Sequence, residues 1–306
     1  DYEDGTAVEL RWDFLNDTIW DTDWLATKVI THEFTNFGEV VVKLQVCDKN
    51  GLTNEARQQI FVTPKDMVYV PAGQFTMGSD PGEGDADEEP EHVVYLDAYF
   101  IDKYEVTNLQ YAQFLSAGNG AHYHPLMKIA DTGGGKFSPL PGYENHPVVF
   151  VTWQDAQAYA TWAGKRLPTE AEWEKAARGS SDERTYPWGE GISGARANYN
   201  HSGDPYDDGT TPVGYFNGIN SGTQDSPSPY GAYDLAGNVW EWLADWYGAD
   251  YYKTSPTSNP LGPSTGTYKV IRGGSWYSEP ARLRCAKRSY LQPGIRLDVV
   301  GFRCAK

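Results

Sequence analysis

Cysteine is scarce, positive charge is short and long apolar runs are missing. Three cysteines in 306 residues, Cys47, Cys285 and Cys304, with no CxxC spacing, exclude a disulfide scaffold and a cysteine-ligated zinc motif. Only 25 Lys and Arg stand against 42 Asp and Glu. The resulting charge of -17 repels phosphate backbones and anionic headgroups, so nucleic acid and lipid surfaces are excluded as partners and cations are the ionic partners left. No stretch reaches the roughly 20 apolar residues that cross a bilayer, so membrane insertion is not expected. Residues 1–10, DYEDGTAVEL, do not read as a signal peptide.

What the chain has in quantity is aromatic surface and turn formers. Eleven Trp and 21 Tyr suffice for a packed core, and 32 Gly with 19 Pro imply many loops. The periodicity changes near residue 64, which divides the chain into 1–64 and 65–306.

In 1–64 the segments VELRWDF, KVITHEF, EVVVKLQVCD and ARQQIFVT alternate apolar with polar residues and are separated by turn signals, the pattern of a small antiparallel sandwich. Cys47, on an alternating strand, reads as a small core residue. Asn16, Asp17, Asp21 and Asp23 form either a solvated acidic turn or a calcium loop, and the turn is the preferred reading. The residues DGTAVELRWDF and FGEVVVKLQVCDKNGLTNEA resemble the polycystic-kidney-disease (PKD) repeat, an immunoglobulin-like extracellular module. Such a domain carries two further strands before the DGT position, so this reading is of a partial sandwich. Either the sequence is a fragment, or a neighbouring subunit donates the missing strand.

From residue 67 the landmarks are MVYVPAGQFTMGSD, KYEVTNLQYAQFL, HPVVFVTWQDAQAYATWAGKRLPTEAEWEKAARG, YPWG, ANYN, SPYGAYDLAGNVWEW, VIRGGSW, RCAKRS and GFRCAK. In this order they resemble the formylglycine-generating enzyme, or sulfatase-modifying-factor, family across residues 67–306. The resemblance implies an irregular, loop-rich C-type-lectin-like fold, class α+β. The residues agree: helices are expected over 107–115, over 153–163 behind a Thr152 N-cap, and over 169–177, where TEAE makes a near capping box. The Trps of this region read as core.

The resemblance also implies a reaction centre, and this chain departs from it. Family enzymes oxidise a target cysteine with two cysteines shortly after the GGS motif, where paired thiolates bind copper. Here Ser278 stands at the first position, the second has no counterpart, and Cys285 and Cys304 fall in motifs that are structural in the family. Ala177 occupies the place of an upstream partner cysteine. A hydroxyl cannot replace a thiolate toward copper(I), so copper is not expected. A related branch, the ergothioneine-pathway sulfoxide synthases, adds a helical iron-binding domain that this sequence does not contain. The one close histidine pair, His122 and His124, reads as an ordinary loop before Pro125.

Calcium is the cofactor the resemblance does imply. Carried onto this sequence, one ion is held by Asp234, the carbonyls of Gly237 and Val239, and Glu241. A second is held by Asn198, the carbonyl of Tyr199, Asp204 and the carbonyl of Tyr206, with Asp207 or Asp208 as alternatives to Asp204. The alternative for both is a capped, solvated turn. A binding face is expected around GGSWYSEPARLR and the loop 117–145, with Trp276, Tyr277, Glu279 and Arg282 as recognition residues and Tyr290 beside them; Trp276 and Tyr290 serve equally well as core. The expectation is therefore a non-catalytic, calcium-stabilised extracellular or cell-surface module. It would associate with itself, as in a fibre completed by strand donation, or with another extracellular protein or a glycan. The alternative is an oxidoreductase-type protein-modifying enzyme of the same family.

Overall fold

The computed structural model describes residues 8–27, 29–180, 184–206 and 208–306. The DGT position, residues 4–6, and the alternative ligand Asp207 lie outside them. The chain forms two compact units, Asp1–Lys65 and Asp66–Lys306.

The first unit holds one antiparallel sheet of β1 (Glu9–Asp13), β2 (Gly38–Cys47) and β3 (Thr53–Val62), with β2 central. Val40 and Val42 of β2 form its small core with Phe14, and Ile30, Phe34, Ile60 and Val62 pack against them. KVITHEF differs from the expectation. Its described residues form no strand, yet their alternation still decides which side chains turn inward: His32 stacks on Phe14 at 3.9 Å and Phe34 meets Phe14 edge-on. Among the described residues this irregular segment lies where the second layer of a sandwich was expected. The acidic loop caps itself: Asp21 accepts from the Phe14 N–H at 2.6 Å and Asp17 from the Ile19 N–H at 2.9 Å. Cys47 is half-buried, and its thiol donates to the Asp48 carbonyl.

The second unit is built on short pieces: antiparallel pairs of β4 (Met67–Val70) with β7 (Tyr99–Asp102), β5 (Gly73–Met77) with β6 (His92–Leu96), and β8 (Ile129–Gly133) with β9 (Lys136–Pro139), the second pair lying in the chain between the strands of the first. Three helices, α1 (Asn108–Phe114), α2 (Trp153–Trp162) and α3 (Glu170–Arg178), start where Thr107, Thr152 and Thr169 close full capping boxes with Gln110, Asp155 and Glu172. A four-stranded sheet in the order β12 (Ser289–Leu291), β11 (Lys269–Arg272), β10 (Trp240–Trp246), β13 (Val300–Gly301) runs through the middle.

The alternation of β10 separates two cores. Trp240 and Trp242 face one, with Tyr111, Phe114, Tyr159 and Phe302. Leu243 faces the other, with Phe75, Ile101 and Trp173. Cys304 lies in the first core and Cys285 in the second, so the two thiols of this unit are kept apart.

Every residue of α3 is buried although most are charged, because each carboxylate meets a guanidinium from elsewhere. Glu170 takes Arg288 side-on at 2.8 Å twice, Glu172 takes Arg166 at 2.6 Å twice, and Glu174 takes Arg272 and the Gly78 N–H. Glu170 and Glu174 of RLPTEAEWE are thereby locked to Arg288 of RCAKRS and Arg272 of VIRGGS, while Glu172 closes on Arg166 of its own motif.

Candidate functional site

Gly231 to Trp246 enters the centre of the second unit through two left-handed residues, Asp234 (φ 60) and Asn238 (φ 61), a conformation that Asp and Asn tolerate. Between them Gly237, at φ 92, lies so close to the Asn198 carbonyl that a Cβ would overlap it. Asn238 fastens the turn on three sides. Its N–H donates to the Asn198 carbonyl (2.9 Å), its Oδ1 accepts from the Thr211 N–H (3.0 Å) and its carbonyl accepts from the Trp276 N–H (2.8 Å).

One turn later β10 delivers Glu241, fully buried. Its Oε2 accepts from Arg303 Nε (2.7 Å) and Trp173 Nε1 (2.8 Å), and its Oε1 accepts from Arg303 Nη2 (2.8 Å). Asp234 accepts from the Gly214 N–H at 2.5 Å. A third carboxyl, Glu105, is 1% exposed, and neither of its oxygens has a hydrogen-bond donor. Burial, and then the neighbouring Asp234 charge, push the Glu105 carboxyl well above the ordinary carboxylate range; burial pushes Asp234 up to about 6. The Arg303 guanidinium binds Glu241 directly and counters the rise at the Glu105 and Asp234 carboxyls through its charge alone; carboxylate and carbonyl oxygens of this kind are the donor type calcium prefers, although the oxygens of Glu105, Asp234 and Glu241 are not gathered within 4.8 Å of one another.

The second expected ion loop is wound differently. Asp204 accepts from Ser202 Oγ (2.5 Å) and from the Tyr206 N–H (2.7 Å), and the carbonyls of Tyr199 and Tyr206 accept from Ser202 and Gly209 N–H groups. Asn198 donates from Nδ2 to the Gly209 carbonyl at 2.8 Å, while its Oδ1 is buried without a partner. The loop has the form of a capped turn with a single orphaned donor oxygen, a thinner fit to an ion than the first centre. Asp208 lines the neighbouring cleft.

Ser278, at the first reactive position of the family motif, closes a tight turn. Its Oγ accepts from the Ser275 N–H at 3.1 Å and lies 3.0 Å from Ser275 Oγ, and the side chain is buried. Gly274 turns the chain at φ 77, and a Cβ there would overlap Leu283. Burial pushes the Cys285 thiol up to about 12 and raises that of Cys304 also.

Beside this turn lies a cleft of about 750 Å³ lined by Tyr143, His146, Phe150, Tyr206, Trp276 and Asp298 among others. Trp276 Nε1 donates to the Asp298 carbonyl at 3.2 Å. Burial lowers the His146 imidazole below its ordinary value, and its Nδ1 lies 2.9 Å from Thr210 Oγ1. Of the four expected recognition residues only Trp276 lines this cleft. Tyr277 is 69% exposed, Glu279 accepts from Asn200 Nδ2, and Arg282 borders a separate concavity with Lys287 and Tyr290. Tyr143 falls in the loop 117–145 expected to contribute to a binding face, whereas Glu105, His146 and Phe150 were not expected there; the signal that marks Glu105 is a lone acid directly before an apolar residue and a capping threonine, in KYEVT.

The profile of the "Sulfatase-modifying factor enzyme 1-like domain" matches residues 52–306. The chain belongs to this family. It is 42% identical over 250 residues to "Serine/threonine-protein kinase pkn1" of Chlamydia caviae, a match covering 79% of this chain and 38% of that protein, so the chain spans well under half of that relative. It is 39% identical to the "Formylglycine-generating enzyme" of Thermomonospora curvata, covering 79% of this chain and 93% of the enzyme. Among solved structures, PvdO from Pseudomonas aeruginosa superposes with a TM-score of 0.63 at 32% identity, over 79% of this chain and 95% of that one. The sulfatase-modifying-factor fold is thus the loop-rich C-type-lectin-like α+β arrangement described above.

Proposed function

We propose that this member of the sulfatase-modifying-factor family is a non-catalytic extracellular or cell-surface module. Its calcium-stabilised second unit presents the cleft beside Trp276 to another protein, to a glycan or to a second copy of the chain. The observation that carries this reading is Ser278: a buried hydroxyl bonded to Ser275 stands at the first of the two reactive positions. Copper(I) needs paired thiolates, and the two thiols of this unit sit protonated in separate cores. Calcium in the first centre would be held by Asp234, the carbonyls of Gly237 and Val239, and Glu241. A second ion would be held by Asn198, Asp204 and the carbonyls of Tyr199 and Tyr206. Bound there, the ions supply charge neutralisation and tie loops together rather than activate a substrate.

The reading includes assembly by strand donation. What supports it is β3, an edge strand of ten residues, most of them exposed, whose outer backbone groups offer a ladder to a neighbouring strand. A strictly monomeric protein in light scattering would remove that part.

The alternative, a protein-modifying oxidoreductase, is favoured by the 39% identity to a formylglycine-generating enzyme. Copper(I) titration against a chromogenic chelator, followed by incubation of the loaded protein with a cysteine peptide and oxygen, separates the two. The module binds no stoichiometric copper and forms no aldehyde. Aldehyde formed over several turnovers would overturn it. The calcium part is read separately: chelation should lower the melting temperature by several degrees, and an unchanged melt would count against bound calcium.

A further inference from the structure

We propose that the outer edge of β3 pairs with β3 of a second copy of the chain, antiparallel about a two-fold axis at Ala56. This rests on the assembly part of the reading above, and it puts a symmetric pairing that closes at a dimer in place of a donated strand.

The two edges of the first sheet are finished differently. Beyond β1 the chain folds back: Leu10 and Leu25 exchange backbone bonds at 2.8 and 2.7 Å, and the Trp12 carbonyl accepts from the Asp21 N–H at 2.9 Å. Beyond β3 no strand follows among the described residues. β3 is ten residues long, pairs with β2 without a bulge and contains no Pro or Lys, so it lacks the usual devices that blunt an edge. Residues 53–59 are all exposed, whereas Ile60 and Val62 turn to the core. Two of its backbone groups take side-chain substitutes for a strand. The Glu55 N–H donates to Asn54 Oδ1, and the Gln59 carbonyl accepts from Gln58 Nε2, both at 2.9 Å. The odd-numbered residues therefore carry the outward groups, in the alternation an edge requires.

The sequence of this stretch fits its own copy. In an antiparallel pair related by a two-fold, the axis passes between a residue and its own counterpart. With the axis at Ala56, two small side chains meet at the centre, Glu55 of each copy lies opposite Arg57 of the other, and Asn54 lies opposite Gln58. Moving the axis one residue either way sets Glu55 against Glu55 or Arg57 against Arg57, so charge selects the register. Arg57 also gains a partner it lacks within its own sheet: across the ladder it faces Lys43, whose ammonium is held by Asp13 at 3.0 Å. Glu55 there faces only Gln45, which donates to it at 2.9 Å. Seven exposed residues a side make a small interface, so the dimer is weak and concentration-dependent.

Sedimentation velocity of the full chain across a range of concentrations reads the dimer, in about 0.15 M salt so that the charge of -17 is screened. Wild type should move from monomer toward dimer as concentration rises. Arg57→Glu sets like charges opposite each other twice and should weaken the dimer about tenfold or more. It also gains Lys43 across the ladder, so its melting temperature should not fall. Adding Glu55→Arg to it restores opposite charges and should recover the dimer to within about threefold of wild type. Ala56→Cys should give a disulfide-linked dimer on mild oxidation, because Cα atoms facing across the axis lie about 4.5 Å apart. Asn54→Cys should not, and wild type with its Cys47 sets the background. Dimers that ignore Arg57→Glu, or larger open assemblies without an Ala56→Cys cross-link, overturn the pairing and leave strand donation standing. A chain that is monomeric at every concentration overturns both.

Discussion

Arg303 grips Glu241 side-on, Nε to Oε2 at 2.7 Å and Nη2 to Oε1 at 2.8 Å, with both side chains sealed from water. Breaking one side of such a pair strands a buried charge. Arg303→Met should cost about 3–5 kcal/mol in urea unfolding. Arg303→Lys should also destabilise, since an ammonium cannot reproduce the fork. A melt within a degree of wild type for either variant would show the pair to be dispensable.

Asp245 yields a pH prediction. Burial, reinforced by the charge of Glu170, holds its carboxyl up at about 8, while its oxygen accepts from the Glu170 N–H at 2.9 Å. In the unfolded chain the same group ionises near 4. Between those values the folded state binds the extra proton, so this group makes stability fall as pH rises, by at most about 1.4 kcal/mol per unit. Asp245→Asn removes that slope while keeping an acceptor for Glu170. Unfolding free energies from pH 5 to 8 should therefore converge or cross between the two proteins; parallel curves would contradict the assignment.

The thiols should react unequally. Cys47 is half-buried, whereas Cys285 and Cys304 are sealed in different cores and their thiols are shifted upward. An aromatic disulfide reagent at pH 8 should label Cys47 first and the other two only on denaturation. Labelling of all three at one rate in the folded protein would be incompatible with this packing.

Adjacent aromatics should separate cleanly. Tyr277 is 69% exposed, and Tyr277→Ala should change stability by no more than about 0.5 kcal/mol. Trp276 donates to Asp298 and Asn238 carbonyls and walls the cleft, so Trp276→Ala should cost about 1–3 kcal/mol and abolish binding of any cleft ligand. Equal effects in thermal melts would mean that Trp276 is not anchored as described.

The three helices were legible in the sequence because their signals are local: Thr107, Thr152 and Thr169 each stand three residues before the group that completes the box. Asp234 was legible as a member of an ion loop or a capped turn. Glu105 was not, because its neighbour Val106 is pinned inside by Val148 and Phe302, about 40 and 200 residues away, and a single Glu two residues after a Lys looks like surface. The segment KVITHEF showed the limit of period-two reading, since alternation records which side chains turn inward and says nothing of a partner strand. The recognition residues scattered for a related reason: Trp276 and Tyr277 are neighbours in sequence and their rings touch at 5.5 Å, yet only Trp276 lines the cleft while Tyr277 stands 69% exposed.

The carboxylate and guanidinium lattice around α3 has a consequence for behaviour in salt. Dissolved ions screen charges they can approach, and Glu170, Glu174, Arg272 and Arg288 are out of their reach. The unbalanced acidic surface behind the net charge of -17 is fully within it. Raising ionic strength therefore quiets the repulsion outside and leaves the attraction inside untouched, so this protein should be hardier in brine than in dilute buffer.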